Sequence, residues 1–225
     1  MKLLRASVMA AVGLGLLAAP TLAVPAPIAV WGMNETSGTV MTDSSGHLNV
    51  GTLKNIALGV PGVVGTGYGF NGTTSRVIVK NSASLNPGLA DITVTVHVAT
   101  TSLPVKDSDL LRKGYQKTVG GDYKVEVVNA AGVAEARCYF RGTLKSYQKT
   151  VAVPNLLNGA YHTIICQKTA TTVVMTVDGK VYKHTTTLGS ITNTSSLILG
   201  AYSSGSTSGD WFKGSLDEVS ITTGS

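Results

Sequence analysis

The chain has 225 residues, a formal net charge of +6 and only 13% charged residues. Gly, Thr, Ser and Val abound, which favours β-sheets joined by tight turns over a helical bundle. The charge is too low to argue for a nucleic-acid partner. Lys2 and Arg5 form a basic start, Ala6 to Ala19 is apolar, Pro20 breaks the run, and Thr21-Leu22-Ala23 offers small residues to a signal peptidase. The expectation is a signal peptide over 1–23 and a secreted chain from Val24. A membrane anchor is the competing reading, but the run is shorter than the roughly 18 apolar residues a span needs. With the leader gone no membrane partner is expected. About 200 residues remain, enough for one all-β domain over 24–225.

In chain order, Val24 to Pro27 is a Pro-rich lead-in and Ile28 to Met33 the first strand candidate. Asn34 to Gly38 and Asp43 to Gly46 are polar turns, and Gly51 to Leu53 begins a short strand. Gly59 to Gly69, with Pro61, reads as a loop or series of bends. Tyr68 to Phe70 and Arg76 to Lys80 flank a turn at Asn71 to Ser75. Ile92 to Val98 alternates so that Ile92, Val94, Val96 and Val98 point inward. Leu110 to Lys113, Tyr123 to Val128, Ala134 to Arg141 and Tyr147 to Val153 are further strands. Tyr161 to Lys168, Val173 to Val177 and Lys180 to Thr187 form a meander, with Asp178-Gly179 as a type I′ hairpin turn. Ser196 to Tyr202 is a strand, Ser203 to Gly209 a flexible loop, and Trp211 to Thr222 ends the fold, with no second domain expected.

Roughly a dozen short strands with turns between them are the pattern of a two-sheet antiparallel β-sandwich or jelly roll. Tyr115-Gln116-Lys117-Thr118-Val119 recurs as Tyr147-Gln148-Lys149-Thr150-Val151, but the flanking residues do not match, so no repeat architecture follows. Cys138 and Cys166 are the two cysteines. In an oxidising compartment a disulfide between them is expected, on strands that could be neighbours; two buried free thiols are the alternative.

Six stretches in order resemble one family. They are Trp31 to Gly38 with Asp43 to Gly46, Gly69 to Gly72, Ser84 to Pro87 with Asp91 to Val94, Leu157 to His162, Val177 to Gly179, and Gly214 to Val219. Together they are similar to bacterial laminin-G-like domains of the concanavalin A-like lectin/glucanase superfamily. The resemblance implies an all-β fold of two antiparallel sheets packed face to face. Asn71 in place of Asp, His97 in place of an aromatic, and Tyr161 in place of Trp depart from the family pattern.

Jelly-roll glucanases carry E-x-D-x-x-E on one strand for acid/base and nucleophile roles. That triplet is absent. Asp107 and Asp109 are expected in a solvated loop, Asp217 and Glu218 to face opposite ways on a strand, and Glu126 and Glu135 to lie apart. There is no G-x-S-x-G elbow, and His47, His97, His162 and His184 lack zinc spacing. The expectation is no enzyme. Pairing of first and last strands would bring Glu35 and Asp43 near Asp217, hard donors suited to a structural Ca²⁺; equally, Glu35 and Asp43 cap turns and Asp217 bonds amides.

Candidate ligand contacts are Tyr115, Tyr123, Arg137, Tyr139, Arg141, Tyr147 and Trp211. Arg112, Lys113, Lys117, Arg137, Arg141, Lys145 and Lys149 concentrate positive charge in the middle third. On adjoining strands they form a basic face for anionic glycans; ordinary solvated Lys and Arg is the plainer reading. The expected function is a secreted, non-catalytic module binding carbohydrate or a cell-surface glycan. An extracellular structural or protein-interaction domain is the first alternative, and a glycoside hydrolase or lyase the second.

Overall fold

The computed structural model describes residues 25–204 and 207–224; the expected leader, 1–23, lies outside them. The strands are β1 (Pro27–Trp31), β2 (Val40–Met41), β3 (Gly51–Lys54), β4 (Ala57–Pro61), β5 (Thr66–Asn71), β6 (Arg76–Val79), β7 (Ile92–Ala99), β8 (Asp107–Lys113) and β9 (Asp122–Ala130), then β10 (Val133–Arg141), β11 (Ser146–Ala152), β12 (Tyr161–Lys168), β13 (Thr172–Val177), β14 (Lys180–Thr185), β15 (Leu197–Leu199), β16 (Tyr202–Ser204), β17 (Thr207–Gly209) and β18 (Lys213–Thr223). One antiparallel sheet runs β14-β13-β12-β7-β18-β5-β4, with β1 also on β18. The second runs β11-β10-β9-β8-β15-β6-β3-β2, and β16-β17 is a separate hairpin. Among the described residues no helix is long and apolar enough to cross a membrane.

Period-2 alternation builds the core between the sheets. Ile92, Val94, Val96 and Val98 of β7 are buried, as are Val173, Met175 and Val177 of β13. The second sheet answers with Tyr123, Val125 and Val127 of β9 and Ala134, Ala136, Cys138 and Phe140 of β10. β7, β10, β12 and β13 each bury one face and leave the other part-exposed for a different use. The Asp178-Gly179 turn has φ of 48° and 80°, as a type I′ hairpin demands.

Cys138 and Cys166 form a disulfide with a Cα–Cα distance of 5.6 Å. Their strands are not neighbours. β10 pairs with β9 and β11, β12 with β7 and β13, so the bond joins one sheet to the other. Both side chains lie on the inward face of their strands, which is what lets them meet across the core.

Three stretches depart from the sequence reading. Gly59 to Gly69 is largely strand, in β4 and β5, with a register shift between Ala57 and Val60. Its glycines permit close packing: a Cβ on Gly67 would meet Leu216 O at 2.9 Å and Tyr161 Oη at 3.0 Å. Asp107 and Asp109 belong to β8, not to a solvated loop, and Asp109 is fully buried. The expected loop at Ser203 to Gly209 contains the β16-β17 hairpin.

Candidate functional site

The outward face of the second sheet carries the polar residues that alternation excludes from the core. The β9-β10 hairpin turns at Ala131-Gly132, with φ of 52° and 92°. That turn fixes the register Glu126↔Arg137, Lys124↔Tyr139 and Asp122↔Arg141. On the other side β8 sets Asp109 opposite Glu126 and Arg112 opposite Lys124, and β11 sets Gln148 opposite Tyr139.

Ion pairs lock this grid. Arg112 grips Asp109 through Nε at 2.5 Å and Nη2 at 3.1 Å, and its Nη2 lies 3.4 Å from Asp210. Glu126 accepts from Lys124 Nζ at 2.5 Å and from Arg137 Nη1 at 3.0 Å. Arg141 Nε lies 2.5 Å from Asp122, while its Nη2 donates to the carbonyls of Tyr115 at 2.9 Å and Thr118 at 2.8 Å. Asp109 and Glu126 are 0% exposed. Burial pushes the Asp109 carboxyl up to about 7, outweighing the opposing pull of Arg112. Asp122 is raised by burial against Arg141, and Asp210 by burial and then by the Asp107 carboxylate.

Over the grid lies a cleft of about 860 Å³, within the range of small-ligand sites. Tyr115, Tyr139, Tyr202 and Trp211 line it, with Arg112, Lys124, Asp107, Asp122 and Asp210 and the segment Ser102 to Lys106. The Tyr115 turn is held by Arg141 and by the Tyr115 N–H donating to Thr118 Oγ1 at 2.8 Å. Its ring stacks on Tyr202 with centroids 4.9 Å apart, and the Arg112 guanidinium lies 5.2 Å from the Tyr202 centroid. Arg76 sits 5.6 Å from the Trp211 ring.

Of the expected ligand residues, Tyr115, Tyr139 and Trp211 meet in this cleft, and Arg137 and Arg141 brace the sheet beside it. Tyr123 does not take part. Alternation turns it into the core, where its hydroxyl donates to Leu85 O at 3.0 Å. Tyr147 packs against the core from the edge strand and stacks on His184 of the opposite sheet, centroids 4.2 Å apart. The continuous basic face is also absent. Lys113 is buried on the other side, donating to Asn81 Oδ1 at 2.8 Å, Ser195 O at 2.8 Å and Asn193 O at 3.1 Å, and Lys149 lies 5.3 Å from the Tyr182 ring centroid. Asp109, Asp122, Lys124, Glu126, Tyr202 and Asp210 were missed as site residues. The Ala131-Gly132 turn was the signal that would have set the acids of β9 opposite the cations of β10.

Glu35, Asp43 and Asp217 do not converge. Glu35 accepts from Thr42 N–H at 2.7 Å and from the Thr42 and Tyr68 hydroxyls. Asp43 accepts from the N–H groups of Val30, Ser45 and Asn49 at 2.9, 2.9 and 2.8 Å. Asp217 Oδ2 takes Val63 N–H at 2.7 Å and Val64 N–H at 3.0 Å. Among the described residues no three His, Cys, Asp or Glu side chains form a metal-binding group. Each carboxylate is taken up by a different set of donors, Asp43 within its own turn and Asp217 on the distant Val63-Val64 segment.

A laminin-G family model, described as the concanavalin A-like lectin/glucanases superfamily, matches residues 71–225. The chain belongs to that superfamily. The match starts after the Trp31 to Gly46 stretch, so it rests on the later motifs. No curated protein sequence matches the chain. Among solved structures, the superfamily member described here is similar to the binding domain of Paraclostridial Mosquitocidal Protein 1, with TM-score 0.68, 15% identity, 87% of this chain covered and 48% of that one. It is similar to domain 4 of AbnA, an extracellular arabinanase from Geobacillus stearothermophilus, in complex with arabinotriose, with TM-score 0.62, 16% identity and coverage of 89% and 93%. The binding domain of botulinum neurotoxin DC in complex with SialylT gives TM-score 0.63, 10% identity and coverage of 88% and 48%. The chain thus spans about half the length of the toxin binding domains it matches.

Proposed function

We propose that this protein is a secreted, non-catalytic module that binds a glycan in the cleft on the outer face of the second sheet. The observation that carries the reading is the convergence of Tyr139, Trp211 and the Tyr115-Tyr202 stack on a floor of polar groups already fixed by ion pairs. Ring faces offer apolar area and oriented donors and acceptors read hydroxyls. Of three solved structures that share the fold, two are binding domains, one of these in complex with SialylT, and the third is a domain of an arabinanase in complex with arabinotriose, which supports the assignment.

The floor also argues against hydrolysis. A glycosidase needs two carboxyl groups free to flank a bond, one of them as acid. Asp109 and Glu126 are buried and held by cations, Asp122 is paired with Arg141, and the cleft acids Asp107 and Asp210 adjoin each other within hydrogen-bond reach, closer than the two carboxyls of a glycosidase stand. A glycan array probed with Val24 to Ser225, once with calcium and once with EDTA, tests the reading. Specific binding supports it; a blank array in both favours the structural or protein-interaction alternative. Release of reducing sugar from a bound polysaccharide would refute the non-catalytic part.

A further inference from the structure

We propose that the cleft selects an uncharged glycan and rejects polyanions; this rests on the glycan-binding reading and narrows it. The observation is that the cations of the face are already engaged. Arg112 is bound to Asp109 and reaches Asp210, Lys124 and Arg137 share Glu126, and Arg141 pairs with Asp122. The sequence alone shows a middle third rich in Lys and Arg. The fold gives Arg137 and Arg141 a carboxylate across the register, and Arg112 and Lys124 one along their own strands.

A uronate or sulfate entering the cleft meets two poor choices. It can draw an arginine away from a carboxylate that is 0% exposed, as Asp109 and Glu126 are. That leaves a buried charge without its partner, a larger loss than a new ion pair in an open cleft returns. Or it can bind beside Asp107 and the Asp210 that adjoins it, which Arg112 reaches only at 3.4 Å, and be repelled. The exposed Lys106 and Lys213 share the cleft lining with those same two acids.

A sugar hydroxyl meets neither obstacle. It carries a proton to donate, so it can use a spare carboxylate lone pair without breaking an ion pair, which a deprotonated uronate or sulfate group cannot do. Trp211 and Tyr139 supply ring faces that carry no net charge. The fixed grid therefore acts as an array of oriented hydrogen-bonding groups. Its on-rate and affinity should depend little on salt, because no long-range attraction steers the ligand.

Affinity electrophoresis of Val24 to Ser225 tests this. Gels contain arabinan, xylan or mixed-linkage β-glucan on one side, and polygalacturonate or heparin on the other. Retardation is expected in at least one neutral gel, changing less than about twofold between low and high NaCl, with none in the anionic gels. Salt-sensitive retardation by polygalacturonate or heparin, with or without neutral retention, overturns the selectivity and leaves glycan binding standing. No retardation in any gel contradicts the glycan-binding reading and the inference with it. Glu126→Gln should add polygalacturonate retardation by releasing Lys124, which lines the cleft, from its carboxylate. Asp210→Asn, a half-buried position, reads the same gain should the first variant fail to fold. Folded variants that gain nothing would contradict the pairing argument.

Discussion

Glu126 on β9 and Arg137 on β10 stand directly opposite each other, with Arg137 Nη1 3.0 Å from a Glu126 carboxylate that is fully buried. A two-residue turn sets this pair, and the pair in turn fixes Tyr139 and Lys124 in the next row. Truncating Arg137 leaves Glu126 with Lys124 alone. Arg137→Ala should lower stability by about 1–3 kcal/mol, since a buried acceptor loses a charged donor. Lys145→Ala, on an exposed turn residue, should stay within about 0.5 kcal/mol of wild type. Urea unfolding of both variants checks the contrast.

The Cys138–Cys166 bond closes a separation of 28 residues and ties the sheets together. Restriction of the unfolded chain is worth about 3–4 kcal/mol for a loop of this length. Reduction, or the Cys138→Ala/Cys166→Ala double variant, should lower the urea midpoint by that order. A midpoint unchanged by reductant, with both thiols shown to be free, would contradict it.

Stability should fall as pH rises from about 4 to about 7. Burial holds Asp109 up to about 7 and raises Asp122 and Asp210 as well. Unfolded carboxyls release their protons near pH 4, so in this window the native state binds more protons than the unfolded state. Glu35 and Asp43 run the other way. Hydrogen bonds lower their folded values, against burial, so their contribution is lost only as pH falls below about 4. A Tm profile should peak near pH 4–5 and decline toward 7, and Asp109→Asn should flatten the decline. A Tm that rises steadily over that range would contradict the sign.

The strands were legible in the sequence where alternation was clean. Ile92 to Val98 and Tyr161 to Lys168 lie within or coincide with the observed strands because each has one apolar face. The pentapeptide that occurs twice shows the limit. Tyr115 to Val119 forms a turn, pinned by Arg141 to the Tyr115 and Thr118 carbonyls, while the identical Tyr147 to Val151 forms part of edge strand β11. Local propensity cannot separate them; the partners do. Tyr123 and Tyr139 likewise look equal by residue type. Strand parity puts one in the core and the other in the cleft. The Gly59 to Gly69 stretch was unreadable as strand because its glycines serve close contacts between chain segments, which a single sequence does not display.

Glu35, Asp43 and Asp217 each accept from backbone N–H groups, and we propose that none of them needs an ion. Asp43→Ala removes the acceptor for three backbone N–H groups and should cost about 1–3 kcal/mol. EDTA should leave the melting curve of the wild type unchanged. A drop in Tm with EDTA, restored by calcium, would show that an ion does draw on these groups.

The most direct test of the central claim is glycan-array binding by Val24 to Ser225 beside its Trp211→Ala variant. Trp211 lines the cleft without belonging to the ion-pair grid, so its loss should remove a ring face and leave the floor intact. Specific binding by the wild type, lost in Trp211→Ala at a Tm within a few degrees of wild type, is the predicted result. Equal binding by both would place the site elsewhere, and no binding by the wild type would contradict the glycan-binding function itself.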